Sequence, residues 1–95
     1  MKVKNIPFTQ NATCNCKSWL EHWEKFSKRT ATDCSIVNCD DPQLVGAHVE
    51  MVGFSKHFWY VIPLCEKCRD IQDEELEVKT DVIFVSANVF ETCMK

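Results

Sequence analysis

Ninety-five residues, 45% hydrophobic and 11% aromatic, make one small domain and exclude wholesale disorder. The net charge of −3 is uneven: residues 1–33 hold six Lys/Arg against three Asp/Glu, and the remainder five against eleven. The acidic remainder argues against broad phosphate-backbone binding, which needs a basic surface, and no apolar stretch approaches the length of a membrane span.

In chain order, residues 1–13 read as an irregular arm. The first eight are positively charged but have no apolar run, so a secretory leader is not expected. A reducing cytoplasmic compartment follows, where cysteines serve as metal ligands more often than as disulfides; seven cysteines, an odd number, fit a disulfide set badly. Ser18 and Glu21 form a capping box, and Trp19, Trp23 and Phe26 make one apolar stripe of a helix over residues 19–28. Lys25, Lys28 and Arg29 read as its solvated side.

Cys34-x4-Cys39 is a turn, closed by Asp40-Asp41-Pro42. Over residues 44–52 Val45, Ala47, Val49 and Met51 alternate with Gly46, His48 and Glu50, which predicts a half-buried strand. A loop at 53–57 leads to a second strand at 58–62, ended by Pro63. A short acidic helix is predicted over 66–75. Residues 76–80 and 82–89 are predicted to form a C-terminal β-hairpin turning near Thr80-Asp81. No internal repeat or linker divides residues 1–95.

The strongest chemical signal is Cys65-Glu66-Lys67-Cys68, set about 25 residues behind Cys34-x4-Cys39. Four thiolates from two short spans supply the tetrahedral donor set of a zinc ion, and a helix starting near Glu66 favours the thiolate form of Cys65 and Cys68. A chain of this size buries only about 60–65% of its unfolded surface, so a metal staple would stabilise it substantially.

The order cysteine turn, hairpin, cysteine-headed helix is that of a treble-clef zinc finger over residues 34–75. Cys34-x4-Cys39, Gly46-Ala47-His48-Val49 and Tyr60-Val61-Ile62-Pro63-Leu64-Cys65-Glu66-Lys67-Cys68 resemble the HNH endonuclease family. The resemblance implies a structural zinc on Cys34, Cys39, Cys65 and Cys68, and a general base at His48. The family's acidic metal ligand before the base is Ala47 here, its asparagine before Pro-Leu-Cys is Tyr60, and no histidine follows Cys68. The cation of the family's reaction therefore lacks its usual ligands. The fold class expected is α+β: a treble-clef (ββα) core with an N-terminal helix and a C-terminal hairpin.

Cys14, Cys16 and Cys93 are left over, and with one histidine they would complete a second tetrahedral zinc site. His48 is favoured as the fourth ligand; His22 reads as packed within the helix and His57 as exposed. The plain alternative is that these cysteines are buried free thiols or a redox pair. Three functions compete. The first is a non-catalytic interaction module holding one or two zinc ions, its partner a protein engaged through Phe54 and Trp59 rather than a nucleic acid. The second is an HNH-type endonuclease using His48 with Asp70 or Asp73. The third is a thiol redox or metal-handling protein centred on Cys14 and Cys16.

Overall fold

The computed structural model describes residues 1–6, 18–53 and 59–87. They form an α+β unit of two helices and a five-stranded antiparallel sheet, in the strand order β4-β1-β2-β3-β5. The strands are β1 (Lys2–Asn5), β2 (Leu44–Met51), β3 (Tyr60–Cys65), β4 (Leu76–Glu77) and β5 (Val85–Ser86); the helices are α1 (Trp19–Ser27) and α2 (Glu66–Arg69).

The sheet's centre is the β2–β3 pair, registered from Leu44 opposite Cys65 to Val49 opposite Tyr60. Side chains of successive residues point to opposite faces, so this pair divides the interior in two. On one face Ala47, Val49, Ile62 and Leu64 pack with Val3, Leu76, Val78 and the buried cysteines. On the other, Val61 packs with Trp23 and Val85, flanked by Trp19 and Ile83. Residues 47–49 are consequently buried in unbroken succession, which corrects the expectation of a strand with one wet face.

Helix α1 begins as its sequence dictates: the Ser18 hydroxyl accepts from the Glu21 backbone N–H at 3.1 Å. It stops where Lys28 turns left-handed (φ 61°) and returns its N–H to the Glu24 carbonyl. The helix presses on β2 at Gly46. A Cβ built there would lie 2.3 Å from the Trp19 carbonyl carbon and 2.4 Å from the Leu20 nitrogen, so only glycine admits the helix backbone this closely.

Three further expectations are corrected. Residues 2–5 are a strand rather than part of an irregular arm: Val3 and Asn5 turn inward, Lys2 and Lys4 less so, and β1 pairs with both β2 and β4. Pro63 does not end β3 but lies within it. Its carbonyl accepts from the Ser35 N–H at 3.0 Å, on the side away from β2, so the N–H that proline lacks would not have joined that ladder. Nor do β4 and β5 make a hairpin. The chain does turn after Lys79, but β4 pairs with β1 at one edge of the sheet and β5 with β3 at the other. The predicted strand residues 88 and 89 lie outside the described residues.

Gly46→Ala is expected to lower the unfolding free energy by at least about 2 kcal/mol, because the obstructing atoms are backbone and cannot swing away. Urea denaturation of the two proteins checks this, and unchanged stability would contradict the seating of α1 on β2.

Candidate metal centre

Cys34, Cys39, Cys65 and Cys68 converge, their four sulfur atoms all lying within 4.8 Å of one another. Cys39 Sγ stands 3.7 Å from Cys65 Sγ and 3.9 Å from Cys68 Sγ. A tetrahedral ion with metal–sulfur bonds near 2.3 Å needs sulfurs about 3.8 Å apart. The cluster therefore fits a zinc-sized ion after small side-chain movements.

Each half of the site is built locally. Cys39 follows a turn in which its N–H reaches the Ile36 carbonyl at 3.1 Å and Asn38 takes positive φ. The Asp41 carboxylate then accepts from the Gln43 N–H at 2.9 Å, an Asx turn that redirects the chain into β2. In the second half, Cys65 is both the last residue of β3 and the N-cap of α2.

The predicted helix over 66–75 is in fact the single turn of α2. Its early end has a visible cause: the Asn5 amide donates to the carbonyls of both Cys68 and Ile71, at 2.8 Å each. So short a helix carries little dipole. Local N–H groups bear on the sulfurs instead, with Cys68 N–H pointing at Cys65 Sγ and Cys65 N–H at Cys34 Sγ, both at 3.4 Å. Burial pushes the Cys34 and Cys68 thiols up. Burial also opposes ionisation at Cys65, yet the Cys68 N–H and the neighbouring sulfurs outweigh it and bring its pKa down. A cation bound by the cluster would displace the protons of the thiols that hold it.

His48 lies elsewhere. It points to the α1 side of the sheet, its ring 4.3 Å from that of Trp19 and 6.4 Å from that of Trp59. It is 6% exposed, and its Nε2 has no hydrogen-bond partner among the described residues. Burial, with a smaller contribution from His22, pushes its pKa down to about 4. His22 is fully buried, as expected of a packed histidine, and its Nε2 donates to the Ser86 carbonyl at 3.0 Å. Cys14, Cys16, Cys93, His57 and Phe54 lie outside the described residues. Asn5 and Lys79 were missed by sequence reasoning. No local signal marks either one, because their partners are at least 63 and at least 40 residues away.

No protein-family model, no curated protein and no solved structure matches this chain. Among the described residues no helix is long and apolar enough to cross a membrane.

The depressed pKa of His48 ties stability to pH. The folded state holds this imidazole neutral, while the unfolded chain protonates it near 6.5. Its contribution is complete above pH 6.5 and is lost as pH falls toward about 4. Over that window wild type should lose up to about 3 kcal/mol more than His48→Asn. Denaturant titrations at pH 7, 6, 5 and 4 measure this difference, and parallel curves for the two proteins would refute it.

Proposed function

We propose that the chain is a zinc-stabilised treble-clef module of HNH-like type, with a structural, partner-binding role in the cytoplasm and no nuclease chemistry. The convergence of four sulfurs within 4.8 Å carries the reading. The order of parts supports the treble clef: a cysteine turn, the β2–β3 hairpin, then α2 capped by Cys65. Loss of catalysis is supported by the position of His48. A general base must reach water or substrate, and this imidazole sits beneath Trp19, beside an Ala47 that lies in the core where an acidic ligand would be needed. The acidic surface and the indole of Trp59, 44% exposed, favour a protein partner over a nucleic acid.

Zinc binding at this site contributes to folding, since the ion binds only where the four thiolates are assembled. Protein purified without added zinc should carry the metal by elemental analysis, and chelation should lower its melting temperature sharply. Cys65→Ser should unfold or aggregate. Full zinc and an unchanged melting temperature in that variant would overturn the assignment. Plasmid DNA incubated with the protein and Mg2+ or Mn2+ should remain uncut. Nicking that disappears in His48→Ala would favour the endonuclease instead.

A second zinc ion at Cys14, Cys16, Cys93 and His48 is also proposed. Its support is the buried His48 Nε2, without a hydrogen-bond partner among the described residues, together with Cys16 standing two residues before the Ser18 cap. Two zinc ions per chain, falling to one in His48→Ala but not in His22→Ala, is the expected result. A firm value of one in wild type would exclude the second site.

A further inference from the structure

Lys79 makes the densest set of polar contacts around the cysteine cluster. Its ammonium donates to Asp33 Oδ2 at 2.8 Å and to the carbonyls of Cys34 and Cys39 at 2.9 Å each. An ammonium has three N–H donors, so all are spent. The side chain is only 26% exposed, and the Asp40 carboxylate stands 3.9 Å away. Two of the three acceptors belong to the cysteines of the first loop, at either end of it.

The backbone prepares this contact. Lys79 N–H donates to the Ser35 carbonyl, Val37 N–H to the Glu77 carbonyl, and Ile36 bridges Val78. Residues 35–37 are thereby laid along residues 77–79, and the Lys79 side chain crosses from one end of the cysteine loop to the other. Without it, the Cys34 and Cys39 carbonyls would lose a donor that holds them at a fixed separation.

Charge adds to geometry. Four thiolates around a divalent cation leave an excess of two negative charges, in a chain whose own net charge is −3. A cation held against the ligand loop offsets part of that excess in partly buried surroundings, where screening is weak.

We infer that Lys79 is a positioning residue of the cysteine metal site, clamping the Cys34–Cys39 loop in its ligating shape and counterbalancing the anionic centre. The inference rests on the reading of the four cysteines as a zinc site. Partners one step removed from a metal typically account for 10- to 100-fold in affinity.

The test measures zinc dissociation constants by competition with a chromogenic chelator, and the absorption spectrum of the Co2+-loaded protein. Lys79→Met should weaken zinc 10- to 100-fold and shift the cobalt d–d bands. Lys79→Arg should recover part of the lost affinity by restoring the charge. Lys2→Met removes an exposed lysine 3.9 Å from Glu75 and should match wild type. If Lys79→Met fails to fold in excess zinc, Lys79→Gln, which keeps two N–H donors without the charge, is read in its place with the same expected direction. A variant whose zinc affinity stays within twofold of wild type and whose cobalt spectrum is unchanged would overturn the inference, even if its melting temperature fell. Failure of the underlying reading looks different: wild type itself would bind no zinc, or Cys65→Ser would still hold it tightly.

Discussion

Four sulfur atoms brought within 4.8 Å of one another impose the main constraint on this molecule. They come from two loops some 26 residues apart, and each pair is attached to a different part of the sheet. Cys65 ends β3 and is held in register by Leu44 across the β2–β3 ladder; Cys34 and Cys39 flank the residues laid along 77–79. Any slip of the ladder would separate the pairs. Three of the four sulfurs also sit in the principal core cluster, so the site and the apolar interior form one packing unit. For a chain with so little interior, this coupling would let an ion held there stabilise sheet, loop and helix turn together.

The opposite face of the sheet answers a different need. Helix α1 lies so close to β2 that Gly46 is obligatory, and the helix delivers Trp19 onto His48. From Trp59 through His48, Trp19 and His22 to Phe26, neighbouring ring centroids stand 6.4, 4.3, 4.9 and 5.0 Å apart. Burial in that row opposes charge on both imidazoles and lowers the pKa of each. His48 is thereby absorbed into the packing between helix and sheet.

Much of this was legible in local pattern, because its causes are local. The Ser18–Glu21 cap, the span of α1 to within a residue, the alternation that makes β2 and the grouping of Cys34, Cys39, Cys65 and Cys68 all depend on spacings of two to five residues. Where a distant partner decided the outcome, the pattern misled. A stretch of Lys-Val-Lys-Asn is too short to declare itself a strand, and only its two neighbours make it β1. Pro63 reads as a terminator until Ser35 arrives to use its carbonyl. The acidic run after Cys68 reads as helix, but the Asn5 amide takes the carbonyls of Cys68 and Ile71 and the helix ends after one turn.

By itself, then, the sequence determined the helix, the central hairpin and which four cysteines cluster, since capping, periodicity and cysteine spacing act over a few residues. The tertiary structure decided the rest. It put residues 2–5 between β2 and β4, sent β4 and β5 to opposite edges, closed α1 over His48, and set Lys79 across the Cys34–Cys39 loop. Each of these depends on groups more than 20 residues apart, whose meeting is fixed by how the sheet buries its two faces rather than by any property of the segments alone.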